Sequence, residues 1–354
     1  MKNILVQTIR FLILIFSASF LIFCVSGPPM QAQDKPKTGN APRWLSDLKS
    51  VYPESDYLAV IGEGDTRRDA ESDAAGALSR IFEAKIKVES TAIMRYRELE
   101  AGANTKSSTE KSIDKTVQIG SEQALFNIQY SDAYTDKNGR VYVVGYLHRK
   151  NTARIYREKI DKNSEKIEVF LENMKDSESI IQRYAYIDAA VLYAKNNELL
   201  LGQLMIIHEP SVKMVDLPYN FDELNKLYAS TAASMTFSLN IKNDSENRIA
   251  KMTAYILSTK GFTVSKGKAA LSISGEVSIE DTEMNNKYQN IRYELILEMR
   301  DEKGKVIVSF RKAQRESAIS RSEAIALAYR SMEKQINNEF IGQFEKYITS
   351  IILR

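Results

Sequence analysis

The stretch Tyr57–Ile81 reads YLAVIGEGDTRRDAESDAAGALSRI, and it decides how the first part of the chain folds. An apolar segment leads into two glycines, Gly62 and Gly64, and apolar residues at a 3.6-residue period follow. Thr66 and Asp69 have the spacing of a helix N-cap and its third residue. The pattern predicts a strand, a tight turn at the glycines, and a capped alanine-rich helix that packs on the strand.

A strand, a glycine turn and a helix also begin nucleotide-binding units, but the residues here argue against a phosphate site. A dinucleotide fingerprint requires a third glycine where Arg67 stands, and a P-loop requires Gly-Lys-Ser/Thr where Asp65 and Thr66 stand. Glu63 and Asp65 would also place negative charge where a phosphate approaches a helix N-terminus. We therefore predict that the two glycines have a structural role.

The N-terminus has the organisation of a secretory signal. Lys2 and Arg10 precede an apolar run over residues 11–25, and small or turn-forming residues follow. This run is shorter than the roughly 20 residues that a membrane-spanning helix needs. We predict a signal peptide over residues 1–32 and a polar tether over residues 33–42, with an uncleaved anchor as the alternative. The protein is therefore expected to be exported, to the periplasm or the outer-membrane side of the cell envelope.

Cys24 is the only cysteine of the chain. The segment Leu21-Ile22-Phe23-Cys24 has the position of a bacterial lipobox, which makes Cys24 a candidate lipidation site and the anchor to a membrane. Phe23 is bulkier than the Gly, Ala or Ser that normally precedes the lipidated cysteine. The alternative is cleavage near Ala32, which would remove Cys24 with the signal.

The charge of the chain is balanced. The 49 basic and 46 acidic residues give a net charge of +3, which falls further when Lys2 and Arg10 leave with the signal. Such a balance provides no long-range attraction to nucleic acid or to anionic lipid, so nucleic acid is not a predicted partner. Hydrophobic residues make up 44% of the chain, which is enough to form folded cores.

Residues 43–150 are predicted to form a first α+β domain. After the helix, strict alternation of apolar and polar residues from Ile86 to Arg97 is typical of a strand with one buried face. Residues 99–123 are polar and predict an excursion from the sheet. Asn138-Gly139 is the preferred turn dipeptide between antiparallel strands. These signals predict one helix on one face of an antiparallel sheet.

The remaining chain predicts a helical segment and a second α+β domain. Residues 151–229 lose the two-residue period and become helical, and Pro210 and Pro218 are expected to break the chain. Residues 230–354 are predicted to contain an amphipathic helix, three alternating strands and a long C-terminal helix capped by Ser320 and Glu323. The fold class is therefore α+β, with two antiparallel-sheet-plus-helix domains joined by a helical segment.

No arrangement of residues in the sequence predicts a catalytic, cofactor or metal site. His148 and His208 are far apart in sequence and have no cysteine partner, so a zinc site is not expected. Residues 161–172 partly match a calcium loop, but Lys166 occupies the position where the sharp turn requires glycine. We predict a protein that is not an enzyme and that binds no cofactor.

Tyrosine is abundant, with 18 residues. Tyr142, Tyr146, Tyr184 and Tyr186 are candidates for a partner interface, because a tyrosine combines an apolar ring with a polar hydroxyl. Packing inside the core is the alternative for all four.

Several motifs of the first domain match one family pattern. They are Pro42-x-Trp44, the strand at residues 57–64, the Asp/Ala pattern at residues 69–75 and the strand GRVYVVGYL at residues 139–147. Residues 43–148 thereby resemble the bacterial envelope lipoproteins of the twenty-kilodalton, Lpp-twenty type, and are similar to the N-terminal domain of flagellar assembly protein T. The resemblance implies a non-catalytic α+β module in the periplasm or at the outer membrane, often with a lipid anchor.

These observations predict a non-catalytic cell-envelope protein. It would be a structural or protein-binding module of an outer-membrane or flagellum-associated assembly, with other envelope proteins as partners. The alternatives are a peptidoglycan-binding module, and a small-molecule binder or enzyme with a site between the domains.

Overall fold

The computed structural model describes residues 40–86, 90–106, 125–283 and 287–353. The predicted signal peptide, Cys24 and most of the tether lie outside these residues, as do residues 107–123 of the predicted excursion. The chain is a mixture of helix and sheet with two sheet-containing regions, so the α+β class is confirmed. Within the described ranges, no helix is long and apolar enough to cross a membrane.

The first unit is built around a small antiparallel sheet. Its elements in chain order are α1 (Arg43–Ser46), α2 (Leu48–Val51), β1 (Tyr57–Gly64), α3 (Arg67–Glu83), α4 (Ser90–Lys106), β2 (Gln129–Tyr130), β3 (Tyr134–Thr135) and β4 (Val141–His148). Strand β4 pairs with β1 on one side and with the short strands β2 and β3 on the other. The predicted turn at Asn138-Gly139 joins β3 to β4, with Gly139 at φ +85°.

Gly62 and Gly64 do not form the predicted turn. Both lie inside the extended strand β1, and α3 passes directly over them. A Cβ atom on Gly62 would lie 2.2 Å from the carbonyl oxygen of Ala70, and one on Gly64 would lie 2.5 Å from the Cβ of Asp69. The glycines are needed because the backbone of the helix rests on the backbone of the strand. Glycine occurs both at tight turns and where another backbone approaches closely, and the sequence alone does not distinguish these two roles.

The prediction of a strand from Ile86 to Arg97 was wrong, because the chain forms helix α4 from Ser90 onward. The alternating residues also contain an apolar set at helical spacing, namely Ala92, Tyr96 and Leu99, and these three pack against the helical segment that follows the first unit. Contacts with distant residues therefore selected the helical period over the two-residue period.

Polar side chains hold α4 in place. Arg95 forms a two-pronged ion pair with the buried carboxylate of Asp188, and the Glu100 carboxylate lies 2.6 Å from Nζ of Lys166. Burial raises the pKa of Asp188 above its ordinary value, and the Arg95 guanidinium opposes that rise. The ion pair thus links α4 to the middle of the chain.

The helical segment consists of α5 (Arg149–Asp176), α6 (Ile180–Val212) and α7 (Phe221–Ser234). The predicted break at Pro210 is confirmed, because the backbone of His208 (φ −160°, ψ 87°) interrupts α6 with a kink two residues before the proline, and Pro218 lies between α6 and α7. The calcium-loop match at residues 161–172 lies within continuous helix α5 and does not form a loop. Side chains of α5 and α6 share one core with Leu78 and Phe82 of α3.

The second unit contains a mixed five-stranded sheet. Its elements are β5 (Thr236–Lys242), α8 (Arg248–Thr259), β6 (Thr263–Val264), β7 (Leu271–Asp281), β8 (Gln289–Asp301), β9 (Val306–Ala318), α9 (Arg321–Gln335) and α10 (Ile341–Ile352), and a π-helical turn at Ile336–Phe340 joins the last two. The strand order is β6-β5-β7-β8-β9. β7, β8 and β9 pair antiparallel, as predicted, and β5 adds parallel pairings with β6 and β7 that make the sheet mixed. Strand β6 has only two residues, whereas β5 (TFSLNIK) alternates apolar and polar residues as a strand does, and the sequence does not show which strands it pairs with.

Local signals in the second unit are confirmed. Ser320 and Glu323 form a complete capping box at the start of α9. Gly261 follows α8 with φ +85°, the left-handed conformation in which a helix commonly ends. Helices α8, α9 and α10 cover one face of the sheet and enclose the largest apolar core, which includes Phe237 and Phe344.

We expect Gly62→Ala to destabilise the protein by about 1–3 kcal/mol, because the new methyl group meets backbone atoms of α3 that cannot rotate away. Gly76→Ala is the matched control, since its methyl would meet only the tip of the Arg80 side chain, at 3.6 Å. Replacing this helical glycine should leave stability unchanged or raise it by up to about 1 kcal/mol. Chemical denaturation of the two variants measures the difference, and equal midpoints would contradict the close-approach explanation.

We expect Asp188→Asn to cost about 3 kcal/mol, the lower end of the range for breaking a buried ion pair. The lower end applies because the Arg95 side chain is 22% exposed, so water can solvate its guanidinium once the Asp188 carboxylate is removed. Glu158→Gln is the control, since its ion pair with Arg154 is exposed and should contribute less than about 1 kcal/mol. Denaturant titration followed by circular dichroism tests both, and a loss as small as the control's would refute the anchoring role of the pair.

Candidate functional site

The face of the first sheet that points away from α3 carries a group of aromatic rings. Tyr57, Tyr146 and His148 lie on this face, and Tyr52 joins them from the turn after α2. The ring centroids of Tyr52 and Tyr146 are 4.9 Å apart, and those of Tyr57 and His148 are 5.1 Å apart. All four side chains are partly exposed. We call them the tyrosine cluster.

The cluster is pre-organised by its own contacts. Tyr57 stacks edge-on against both Tyr52 and Tyr146, and such pairs contribute about 0.5–1.5 kcal/mol each beyond the area that they bury. Partial burial, reinforced by Tyr146 and Tyr57, raises the pKa of Tyr52 above its usual value. A tyrosine hydroxyl is already protonated at neutral pH, so it can donate a hydrogen bond to a partner. The cluster therefore offers rigid apolar surface with polar tips, which is what partner interfaces use most.

The outer edge of β1 lies beside the cluster. Ser131 binds both the N–H and the C=O of Val144, each at 2.9 Å, so these groups of β4 point away from β1. Ile61 faces Val144 in the antiparallel register, and its own N–H and C=O therefore point away from β4. The same geometry holds for Ala59, two residues earlier. β1 thus presents main-chain donors and acceptors along its free edge.

Both ends of this edge are closed by the chain itself. The Tyr57 N–H donates to the carbonyl of Pro53 at 2.8 Å, and the Glu63 N–H donates to the carboxylate of Asp73 at 3.1 Å. In the part of the chain that the structure describes, β1 pairs with β4 alone. The open stretch is therefore centred on Ala59 and Ile61, which are partly exposed.

The edge of β1 lacks the protection that natural edge strands carry. Proteins usually place Lys, Pro or a bulge on an exposed edge so that no other strand pairs with it. The second sheet follows this rule, because its edge strand β9 carries Arg311, Lys312 and Arg315. β1 has the sequence YLAVIGEG, with its one charged residue at the end where Asp73 already binds the main chain. The arrangement is suited to accept an additional extended strand.

The start of α3 is occupied by side chains of the protein itself. Oγ1 of Thr66 accepts the N–H of Asp69 at 3.2 Å, which confirms the predicted cap. Arg140 lies 3.1 Å from the carboxylate of Glu63 and 2.9 Å from that of Asp65. The ion pairs of Glu63 and Asp65 with Arg140 therefore connect the β3–β4 turn to the end of β1.

The four predicted interface tyrosines occupy different places. Tyr142 and Tyr146 share the open face of the first sheet. The ring centroids of Tyr142 and Tyr134 are 6.4 Å apart, and Tyr146 belongs to the tyrosine cluster. Tyr184 is buried in the large core, with its hydroxyl 3.0 Å from that of Tyr228. Tyr186 is partly exposed on α6, on the wall of a cavity between that helix and the β8–β9 turn.

Sequence reasoning did not find Tyr52, Tyr57 or the free edge of β1. Tyr57 alternates with Ala59 and Ile61 at the two-residue spacing of a strand face, and that spacing was the available signal. The neighbour of β1 was not readable, because β4 lies more than seventy residues later in the chain.

The histidines do not come together. His148 contacts Tyr57, whereas Nδ1 of His208 lies 2.8 Å from Oγ of Ser211 at the interruption of α6. Across the ranges that the structure describes, no group of three or more His, Cys, Asp or Glu side chains could hold a metal ion.

Comparison with known proteins gives distant structural neighbours only. No family model matches the sequence, and no curated protein does. A secreted protein of Helicobacter pylori is 14% identical with a TM-score of 0.40, covering 81% of this chain and 100% of its own. A minor lipoprotein of Acinetobacter baumannii is 15% identical with a TM-score of 0.25, covering 30% of this chain and 90% of its own.

A third neighbour is the rare lipoprotein B of Shewanella oneidensis, which is 12% identical with a TM-score of 0.27 and covers 33% of this chain and 98% of its own. At these TM-scores and identities, none of the three assigns a family or a function to the chain. Membership of the Lpp-twenty type therefore stays a prediction.

We expect the amide protons of Ala59 and Ile61 to exchange with solvent much faster than those of Val60 and Gly62, which face β4 within the same strand. Hydrogen exchange followed by NMR on the isolated protein measures all four. Equal protection along β1 would mean that another segment already covers the edge.

Proposed function

We propose that this protein is a non-catalytic, exported cell-envelope protein that binds another envelope protein. In the complex, an extended strand of the partner pairs with the free edge of β1. The observation that carries the proposal is the unprotected edge at Ala59 and Ile61, bordered by the tyrosine cluster. Strand addition to an exposed sheet edge is a common mode of peptide recognition, in which main-chain hydrogen bonds give affinity and side-chain contacts give specificity.

The affinity would depend on both parts of the surface. Each main-chain hydrogen bond to the edge contributes only about 0.5–1.5 kcal/mol net, because it replaces a bond to water. The open stretch is short, so the hydrogen bonds alone support weak binding. Every second side chain of the added strand would lie on the open face and contact Tyr57 and Tyr146, which supplies the apolar burial that the edge lacks.

Export rests on the sequence. The signal-like residues 1–32 and the tether at residues 33–42 support a location outside the cytoplasm, in the periplasm or at the outer membrane. Lipidation of Cys24 would hold the module at a membrane, whereas cleavage near Ala32 would release it. The mass of the mature N-terminus distinguishes the two.

The proposal predicts a crosslink that depends on the edge. A photoreactive benzoylphenylalanine in place of Tyr146 should crosslink one envelope protein in intact cells, and Ile61→Lys should abolish the adduct because a lysine on an edge strand opposes pairing. The same photoreactive group at Tyr255, which is 70% exposed on α8, is the control for non-specific adducts. Val306→Lys on the edge of β9 is the control for the added charge.

Two results would contradict this proposal. One is an adduct from position 146 that survives Ile61→Lys in a variant with an unchanged unfolding midpoint. The other is an adduct to peptidoglycan fragments instead of protein, which would favour the peptidoglycan-binding alternative.

A further inference from the structure

The second unit contains a cavity of about 460 Å³ at the end of β5, and none of its lining residues belongs to the first unit. It lies where β5 leads into α8 and where the parallel strand β7 carries Glu276 opposite Lys242. Its polar lining comes mainly from Asn243, Glu246, Arg248, Glu276 and Ser278. The volume is in the range of small-molecule sites, and the carboxyl ends of parallel strands are where such sites commonly form.

The loop that borders the cavity holds unusual backbone conformations. Asn243, Glu246 and Asn247 all have positive φ angles, between +53° and +56°. Asparagine tolerates this region, but for Glu246 it costs about 1–2 kcal/mol. The loop is held in place because Asn243 donates to Glu276 at 2.8 Å and the Asp244 carboxylate accepts the first N–H groups of α8. Strain that the surroundings enforce in this way is typical of binding sites.

Arg248 is the cation of the cavity. Its guanidinium lies 4.0 Å above the ring of Tyr329, and that ring is only 2% exposed, so the platform under the guanidinium is fixed. No carboxylate within the described ranges forms an ion pair with Arg248. A stacked guanidinium is well oriented for two-pronged binding of a carboxylate, because its planar fork is held before the ligand arrives.

The cavity also holds negative charge. Glu246 is exposed at its mouth, and Glu276 lies on its β7 wall. A purely anionic ligand would be repelled by these two carboxylates, and a purely cationic one by Arg248. A ligand that carries both charges would match the lining. Ile279 and Ile325, which are partly exposed, supply apolar surface for a short aliphatic side chain.

We propose that this cavity binds a small zwitterion of the amino-acid or short-peptide class, with its carboxylate on Arg248 and its ammonium group between Glu246 and Glu276. This site is separate from the strand-binding edge of β1 and does not depend on it. It requires no bond to be made or broken, so its role is recognition.

The test uses three related probes on the full mature chain: alanyl-alanine, its N-acetyl form without the ammonium group, and its amide without the carboxylate. Isothermal titration and NMR shifts of the amides at residues 243–248 and 276–279 measure binding. We expect alanyl-alanine at millimolar concentration to shift these amides, and each blocked form to bind about tenfold more weakly or worse.

Arg248→Gln should weaken binding of alanyl-alanine by a similar factor, and Arg315→Gln on the exposed edge of β9 should leave it unchanged. Glu276→Gln is a second variant, chosen because it retains the contact with Asn243 and so tests the charge itself. No shift with alanyl-alanine overturns the proposal. The proposal is also overturned if the N-acetyl form binds as tightly as alanyl-alanine. It is overturned as well if Arg248→Gln and Glu276→Gln both bind alanyl-alanine as the wild-type chain does, with unchanged unfolding midpoints.

Discussion

The close approach of α3 to the first sheet is the constraint on which the first unit depends. Ala70 and Ala74 rest on Gly62 and Gly145 so tightly that a Cβ atom on either glycine would overlap the helix. The helix can lie this low only where glycines on two adjacent strands face alanines. This contact fixes which face of the sheet is covered, and it leaves the opposite face for the tyrosine cluster. The glycines therefore serve packing rather than a bend or a phosphate.

The same helix limits the free edge of β1. Asp73 of α3 accepts the N–H of Glu63, and this bond closes the edge at one end without covering Ala59 and Ile61. The second sheet also has a long edge strand, but that strand, β9, carries basic side chains. One chain thus contains a protected edge and an unprotected one. This difference is the reason for placing the proposed partner on β1, since an edge without protection is costly unless it is used.

The helical segment connects the two units through shared cores. Residues of α3 pack with α5 and α6, whereas Tyr184 at the start of α6 packs with Phe262 of the second unit. Helix α4 adds polar links, chiefly the ion pair of Arg95 with Asp188. The two proposed recognition surfaces, an edge for an extended segment in the first unit and a charged cavity in the second, are therefore joined by one continuous set of packed helices.

The sequence by itself determined the elements whose signals are local. The cap at Thr66, the turn at Gly139, the alternating strands β7, β8 and β9, and the capping box at Ser320 all rest on residues a few positions apart. Only the tertiary structure decided the role of Gly62, the helical state of α4, the parallel pairing of β5, and the meeting of Tyr57 with Tyr146. Each of these depends on residues distant in the chain, because a glycine, an alternating pattern or a tyrosine is compatible with more than one environment until its neighbour is known.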